Sequence, residues 1–524
     1  MYIGELGARS PTWSGIWRPS LRSRLAIIAL HLALALPLAY LLNIWMDEAS
    51  SLYTTRNGLV YAFQNAAGNE EQAPLYFWIL SLWRLIDGSI FFARLLSVLF
   101  SALSIWVFSN YVSRFLGPRG TTIATAFFAF HPLLIWASLE IRVYSLLILL
   151  SLLLVKFFSD GFLESDQRIS SRKTLSRVLF LITAIVALYT NYYLGFLLLA
   201  LFVPLVALRR WGDAGVYLCL MALTALAFGP LALEIQSQFE TKTSGFIEPR
   251  SIVDGVRMLW HHFLTFVLPT GVFPDLDESL IRSIRVWTVR IALAGTLVIA
   301  IKQRKDLTQQ TFVLFIVLVT VGLCMIAAYY LMGSQYIAIR HATVLFIPVL
   351  LFLASLAADL LRKRSSRTNL VVISTIGCLV VASFAYSLIN QYPSLAKRGD
   401  WARVGSYIAQ NESPGQPIIV FTVFEALALP NHYQGVNRIL PDERFFEFEV
   451  EAEVGSTDRL KRQIDFVISK IPPEAESIWL LLPGDCAGRP ACVPLENYVQ
   501  ANYTIEKEKE FYLERVFLLR KKSQ

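Results

Sequence analysis

The sequence predicts a polytopic α-helical membrane protein with a small α/β domain at its C-terminal end. Of its 524 residues, 55% are hydrophobic and 16% are charged, whereas a soluble domain carries about 25% charged residues. Long apolar runs fill the chain up to Asn390, and almost all long polar sequence follows it. We therefore expect a transmembrane domain over residues 1–390 and a polar domain over residues 391–524.

About eleven apolar runs are candidates to cross a bilayer, which takes roughly 20 helical residues. The first run carries no charge and ends at Trp45, whereas Arg285 and Arg290 interrupt the eighth and make it the weakest. The predicted spans cover residues 25–45, 89–113, 121–139, 141–158, 178–192, 193–208, 215–233, 284–301, 311–332, 342–361 and 369–390.

The basic residues assign these spans a direction. Lysine and arginine gather in alternate loops, for example at Arg209-Arg210 and at Arg362-Lys363-Arg364. The positive-inside rule places such loops in the cytoplasm. The N-terminus is then cytoplasmic, and an odd number of spans leaves the C-terminal domain outside, most simply at a bacterial inner membrane. The net charge of +8 is read as this topology signal, so no nucleic-acid partner is predicted.

The C-terminal domain has a mixed helix and strand pattern. Asp400 is placed to cap a helix over residues 401–408, and Thr457 to begin a helix that ends at Ile471. Residues 417–423 and 478–482 are short apolar runs typical of strands. Cys486 and Cys492 are spaced to form a disulfide if the domain faces an oxidising compartment.

Candidate functional residues gather at the predicted outer ends of the spans. Two adjacent carboxylates directly after an apolar span are costly near hydrocarbon and often mark a site. Carboxylates serve as general bases or metal ligands, and arginine binds phosphate through two hydrogen bonds. The set favours a lipid-linked phosphate substrate, although mutual ion pairing that merely permits burial explains it too. Its members are Asp47, Glu48, Arg94, Glu140, Arg142, Arg340 and His341.

The order of four short motifs resembles the GT-C glycosyltransferases. These motifs are Asp47-Glu48, Pro74-Leu75-Tyr76, Ala93-Arg94-Leu95 and Glu140-Ile141-Arg142-Val143-Tyr144. More narrowly, the sequence is similar to the dolichyl-phosphate-mannose protein mannosyltransferases and the bacterial aminoarabinose (lipid A) transferases. The resemblance covers roughly the first 160 residues best. In the C-terminal domain, Asp400-Trp401-Ala402-Arg403 also looks like the bacterial members.

The resemblance implies inverting transfer of a sugar from a polyprenyl-phosphate donor to an acceptor at the outer membrane face. It makes Asp47 the catalytic base or the residue that positions the acceptor, with Glu48 beside it, and we add Glu140 to this catalytic set. It implies that Arg94 and Arg142 support the donor phosphate or the catalytic carboxylate, and that Tyr144 helps to shape the donor pocket. Arg340, which precedes a span containing Pro348, matches the late arginine of the family loosely, and we expect Arg340 and the adjacent His341 at the donor phosphate. Gln72 and Tyr76 are expected at the acceptor or pocket, although many members have His-Pro-Pro where this chain has Gln72-Ala73-Pro74.

Cofactor and class alternatives stay open at this point. No nucleotide-binding motif is present in the sequence, so any energy comes with the substrate. His261 and His262, with Asp275, Asp277 and Glu278, are candidates for a divalent metal ion, without helical ligand spacing. A transporter or flippase of lipid-linked saccharides is the alternative function, and a glycan ligase or polymerase is a further one. Membrane lipids are expected partners in every case.

Overall fold

The computed structural model describes most of the chain. The described residues are 21–68, 70–164, 170–243, 251–269, 283, 286–288, 290–291, 307–332, 339–362, 367–421, 427–441, 464–484, 486 and 492–522.

Sixteen helices in these ranges form the N-terminal domain. They are α1 (Leu21–Leu41), α2 (Met46–Thr54), α3 (Gly58–Gly68), α4 (Leu75–Trp83), α5 (Ile90–Val112), α6 (Pro118–Ala129), α7 (Pro132–Leu139), α8 (Tyr144–Phe158), α9 (Ser170–Thr190), α10 (Leu194–Ala207), α11 (Trp211–Thr243), α12 (Ile252–Val267), α13 (Gln309–Met332), α14 (Ile339–Ala342), α15 (Phe346–Arg362) and α16 (Arg367–Asn390). A π-helical turn, Ser159–Leu163, extends α8, and a 3₁₀ turn, Thr343–Leu345, joins α14 to α15.

The described helices confirm a multi-pass membrane protein. Seven of them are long and apolar enough to cross a bilayer, and the bent pair α6–α7 makes an eighth if it counts as one span. Helical backbone suits this environment because all its polar groups are paired within the segment. Helix α10 is apolar but only 14 residues long. Most of the predicted span over residues 284–301 lies outside the described residues, so the number eleven stays a prediction.

The third predicted span is broken in the middle. Helices α6 and α7 meet at an angle of 50°. The cause is Pro132, which lacks an N–H and cannot continue the hydrogen-bond ladder of α6. The ring nitrogen Nδ1 of His131 accepts a hydrogen bond from the backbone N–H of Leu133 at 3.1 Å and begins α7. Because of this break, the residues that follow α7 lie against α2 and α5.

The C-terminal domain has the predicted α/β character. Helices α17 (Trp401–Asn411) and α18 (Val493–Asn502) accompany β1 (Ile418–Val420), β2 (Ile439–Leu440), β3 (Ser477–Pro483), β4 (Tyr503–Phe511) and β5 (Glu514–Lys521). The strands form one sheet in the order β2-β1-β3-β5-β4. Strand β1 is parallel to β2 and β3, while β5 is antiparallel to β3 and β4.

Three sequence predictions for this domain have different outcomes: the capping role of Asp400 is wrong, the helix from Thr457 is described only in part, and the disulfide is confirmed. Asp400 does precede α17, but its side chain forms an ion pair with Arg403 at 2.6 Å and caps no backbone N–H. The helix predicted from Thr457 to Ile471 is described from residue 464 onward, and its start lies outside the described residues. Cys486 and Cys492 are joined by a disulfide, with their Cα atoms 5.6 Å apart.

The C-terminal domain packs directly on one end of the helix bundle, here called the tail-side end. The amide of Asn43, just after α1, donates hydrogen bonds to the backbone carbonyls of Lys397 (3.1 Å) and Gly399 (2.8 Å). Its oxygen accepts the backbone N–H of Lys397 at 2.9 Å. The backbone N–H of Ile44 donates to Nε2 of His432 at 3.1 Å. Asn43 therefore fixes the segment that leads into the C-terminal domain against the bundle.

Candidate functional site

Charged side chains from six parts of the described chain meet at the tail-side end, and one of these parts is the connection between α3 and α4, which supplies Glu70. Helix α2 begins five residues after α1 ends and carries Asp47 and Glu48 in its first turn. Helix α5 supplies Arg94, and the connection between α7 and α8 supplies Glu140 and Arg142. Arg340 comes from α14, and Lys397 comes from the segment before α17. They divide into two groups, one enclosed and one at the surface.

The enclosed group, called the inner cluster, consists of Glu48, Arg94, Glu140 and Lys397. The guanidinium of Arg94 donates to both carboxylate oxygens of Glu48, at 3.0 and 2.9 Å. Its remaining N–H groups donate to the carbonyls at the end of α1, those of Ala39, Leu42 and Asn43. An arginine has five N–H donors, and all five of Arg94 have acceptors within the protein.

Lys397 connects the two carboxylates of the inner cluster. Its ammonium lies 3.0 Å from Oε2 of Glu48 and 3.1 Å from Oε1 of Glu140. It also donates to the carbonyl of Leu139 at 2.6 Å. An ammonium has three N–H donors, so Lys397 is fully satisfied. The other oxygen of Glu140 accepts the indole N–H of Trp45 at 2.7 Å.

Glu48 is equally saturated. Besides two bonds from Arg94 and one contact with Lys397, it accepts the backbone N–H of Ile141 at 3.1 Å. A carboxylate offers about four acceptor positions, and protein donors occupy all of them here. Glu48 therefore has no lone pair left for a substrate, and its contacts serve to fix α2, α5 and the turn after α7 relative to one another.

Burial and pairing move the two carboxyl groups in opposite directions. Burial alone raises the pKa of Glu48, but Arg94 and Lys397 together bring that pKa below its ordinary value. Burial raises the pKa of Glu140, and the nearby Glu48 adds to the increase, with Lys397 only partly opposing it. Two acids and two bases balance in the inner cluster, which is the condition for keeping charges away from water.

The second group, called the outer cluster, consists of Asp47, Glu70, Arg142 and Arg340. Arg142 donates to Oε2 of Glu70 at 2.7 Å and to the hydroxyl of Ser51 at 3.1 Å. The Ser50 hydroxyl donates to the other oxygen of Glu70 at 2.6 Å. Although burial opposes it, the pKa of Arg142 lies well above its ordinary value because of Glu70 and Asp47.

Asp47 has the longest contacts of the outer cluster. Its Oδ2 lies 4.0 Å from Arg142 and 3.4 Å from Arg340. Asp47 is buried, whereas the side chain of Arg340 is 46% exposed. Asp47 thus lies between a fixed arginine and one that has room to move, and its oxygens are not saturated by short hydrogen bonds as those of Glu48 are.

The other predicted residues lie around these clusters. Tyr144, buried at the start of α8, is within electrostatic range of Arg142, Asp47 and Arg340. The ring of His341 stacks on Tyr193, with centroids 5.1 Å apart. Tyr76 is fully buried on α4 beside Ser97, and burial raises its pKa. Gln72 precedes α4, and its backbone N–H donates to the carbonyl of Ala66 at 2.9 Å.

Sequence reasoning missed Glu70 and Lys397. Glu70 had a signal, because it belongs to an acidic pair in the same predicted outer loop as Asp47. Lys397 had no sequence signal of comparable strength, because it is one of several basic residues in a polar stretch that is far from Glu48 along the chain. Only the folded structure brings it to the carboxylates.

The carboxylates described here have cations of the protein as their neighbours. Glu48 and Glu140 each face a fixed cation of the protein, and the nearest charges to Asp47 are two arginines. In the part of the chain that the structure describes, no group of three or more His, Cys, Asp or Glu side chains is arranged to hold a metal. The acidic residues named with His261 and His262, Asp275, Asp277 and Glu278, lie outside that part.

Comparison by sequence identifies no relative. No family model matches the chain, and none of the curated proteins matches it.

Comparison by structure finds similar solved proteins. ArnT from Cupriavidus metallidurans in the apo state has a TM-score of 0.45 and 12% identity over 94% of this chain and 98% of its own. The same protein bound to undecaprenyl phosphate has a TM-score of 0.46 and 13% identity, over 94% and 97%. The Archaeoglobus fulgidus oligosaccharyltransferase in complex with Zn and sulfate has a TM-score of 0.48 and 12% identity, over 87% and 67%. Because the identities and TM-scores are low, we do not assign the ligands of those proteins to this chain.

Proposed function

We propose that the protein is a glycosyltransferase that moves a sugar from a polyprenyl-phosphate donor to an acceptor hydroxyl, with inversion. The observation that carries the proposal is the outer cluster. There Asp47, a carboxylate without short hydrogen bonds to the residues that the structure describes, lies beside Arg340, which is 46% exposed and able to reach an anion. The resemblance of the ordered motifs to the GT-C glycosyltransferases supports the same reaction.

The outer cluster supplies the two groups that such a transfer needs. Asp47 accepts the proton of the acceptor hydroxyl while the oxygen of that hydroxyl attacks the anomeric carbon of the donor. The bond from that carbon to the phosphate oxygen breaks, and the polyprenyl phosphate leaves with the electron pair. Arg340 turns toward the phosphate and neutralises its charge, while Arg142 stays with Glu70. Asp47 later releases the proton to water.

The inner cluster has a positioning role in this proposal. Arg94, Glu48 and Glu140 have their hydrogen-bonding groups engaged with the protein, so they hold the base in place without touching the donor. Glu48 is the residue next to Asp47 on α2, and its bonds to Arg94 set the direction of the first turn of that helix. Glu140 does the same for the turn that carries Arg142.

The remaining predicted residues and partners complete the proposal. Tyr144 and His341 line the donor side, and Gln72 and Tyr76 lie toward the acceptor side. The donor partner is a polyprenyl-phosphate-linked sugar, and its lipid chain lies among membrane lipids. The outer cluster lies on the extracytoplasmic face of a bacterial inner membrane, together with the domain over residues 391–524, and the N-terminus lies in the cytoplasm.

A transporter or flippase is not favoured by the charged clusters. Transport mechanisms place ionisable groups near the middle of the bilayer, next to broken helices. The two clusters described here lie at helix ends instead, on α2, at the start of α8 and on α14. A catalytic site at the membrane surface fits this placement better.

The test is transfer from radiolabelled polyprenyl-phosphate sugars into a membrane extract, with wild type compared with Asp47→Asn. Asparagine keeps the shape of the side chain but does not take up a proton, so we expect transfer to fall at least 100-fold at equal protein level. Asp254→Asn is the control, because that carboxylate is 49% exposed and its ion pair within the described residues is with Arg257, three positions along the same helix. Full transfer by Asp47→Asn would show that another group is the base.

A further inference from the structure

The C-terminal domain contributes one charged group to the interior of the site, and this group is Lys397. Its side chain is 2% exposed, although it belongs to the polar part of the chain after the last helix of the bundle. Burying an ammonium costs several kcal/mol unless it is paired and fully hydrogen-bonded. The burial of Lys397 is therefore tolerated only because charged partners compensate for the loss of water.

Those partners are the two carboxylates of the inner cluster. Without Lys397, Glu48 and Glu140 would share the single positive charge of Arg94, which contacts only Glu48. Glu140 would keep the indole N–H of Trp45 and lose its ion pair. The ammonium thus supplies the fourth charge that makes the cluster neutral.

The backbone holds Lys397 in place independently of its charge. The side chain of Asn43 bonds to both the N–H and the carbonyl of Lys397, and also to the carbonyl of Gly399. Asn43 itself follows α1 and provides one of the carbonyls that receive Arg94. One short stretch of the bundle therefore binds the arginine and the lysine at the same time.

We propose that Lys397 is a positioning residue for the transfer reaction, and that the segment carrying it makes the C-terminal domain an integral part of the active site. The proposal rests on the proposed function, since it explains how Asp47 is held. Lys397 acts through Glu48, the neighbour of Asp47, and through Glu140, which is two residues from Arg142. It touches neither donor nor acceptor.

The removal of its charge has a specific consequence. In Lys397→Met two carboxylates face one guanidinium, and a proton bound by the carboxylate pair restores neutrality. The remaining activity of this variant is therefore higher at pH 6 than at pH 8, whereas wild type shows no such preference from this source. Other titratable groups surround the cluster, namely Tyr76 on α4 and Tyr392, Asp400 and His432 in the C-terminal part. The activities of the variants are therefore always compared at equal pH.

A compensating change separates this role from general destabilisation. Glu140→Gln removes the surplus negative charge, so the double variant Lys397→Met/Glu140→Gln is neutral again. We expect Lys397→Met to lose at least 100-fold in kcat at pH 8, and the double variant to recover at least 10-fold of it and to lose the pH preference. Lys509→Met is the matched control, because Lys509 is exposed on β4 of the same domain.

The test uses the full-length protein in detergent, with sugar transfer and the unfolding temperature measured at pH 6 and pH 8. If the unfolding temperature of Lys397→Met is lower at pH 8 than at pH 6, and if adding Glu140→Gln abolishes this difference, the charge coupling between Lys397 and the carboxylates is supported even without substrate. Wild-type kcat in Lys397→Met, or no recovery in the double variant by either measurement, overturns it. If wild type itself transfers no sugar, the proposed function fails, while the stability comparison still decides the coupling.

Discussion

Arg94 and Glu48 face each other with two hydrogen bonds, 3.0 and 2.9 Å long, and neither side chain has any exposed surface. Arg94 also bonds to the end of α1, so this pair joins α1, α2 and α5 at one point. The neighbouring Asp47 has only the looser contacts of the outer cluster. Two adjacent acids on one helix thus differ in how far their carboxylate oxygens are already occupied by hydrogen-bond donors of the protein.

Arg94→Met is expected to destabilise the protein strongly. It leaves the buried charge of Glu48 with Lys397 alone, and removing one partner of a buried pair costs about 3–5 kcal/mol. Thermal unfolding in detergent, followed by tryptophan fluorescence, measures the loss. An unfolding temperature equal to that of wild type, combined with weaker donor binding, would instead place Arg94 at the phosphate.

Arg340→Met is expected to weaken donor binding and leave stability unchanged. The side chain is 46% exposed, and its described contact in the outer cluster is with Asp47 at 3.4 Å. A hydrogen bond to a charged group contributes roughly 1.5–3 kcal/mol, so KM for the donor should rise about 10- to 100-fold. Steady-state kinetics against donor concentration measure this. Arg257→Met, at an exposed arginine of α12, should behave as wild type; an unchanged KM in Arg340→Met would remove Arg340 from the donor site.

Acid is expected to weaken the contact between bundle and C-terminal domain through His432. Burial lowers the pKa of His432 to about 4, and the contact with Ile44 N–H needs a neutral ring nitrogen. Because the folded-state pKa lies below the ordinary value of about 6.5, this contribution is complete above pH 6.5. It declines as pH falls from about 6.5 toward 4.

Unfolding temperatures of wild type and His432→Gln across this pH range measure the effect. Glutamine is able to accept the same hydrogen bond but does not titrate, so we expect a smaller decline for the variant. Carboxyl groups titrate in the same range in both proteins, and the difference between the two curves isolates the histidine. Identical curves would mean that His432 makes no such contribution.

Labelling of single cysteines tests the proposed orientation. Val436 is 74% exposed in the C-terminal domain, and Arg119 is exposed at the start of α6. In intact spheroplasts a membrane-impermeant maleimide should label Val436→Cys, and it should label Arg119→Cys only after permeabilisation. Wild type, with its own cysteines, gives the background. The reverse pattern would invert the orientation.

The sequence predicted the apolar helices well because their signal is local. The uncharged run before Trp45 and the composition of α5 and α8 determine spans without reference to the rest of the chain. The bend between α6 and α7 was not predicted: the predicted span over residues 121–139 passes through it, although Pro132 is a signal for it in the sequence.

Long-range pairing was harder to predict. The contact between Lys397 and Glu48 depends on how the segment after the last helix of the bundle packs back against it. The pattern of hydrophobic residues along the sequence does not predict such a contact. For the same reason the sequence did not separate the two adjacent acids. Asp47 and Glu48 look alike in the chain, and only the donors around Glu48 distinguish them.

The position of Lys397 has a consequence for the time at which the site is completed. Asn43 and Lys397 are 354 positions apart, and at 5–20 residues per second a ribosome needs roughly 20–70 s to cover that distance. In the later part of this interval, once residue 140 has been made, Glu48 and Glu140 have Arg94 but not yet Lys397. The inner cluster of a newly made chain is therefore complete only after Lys397 has been made and has docked on Asn43.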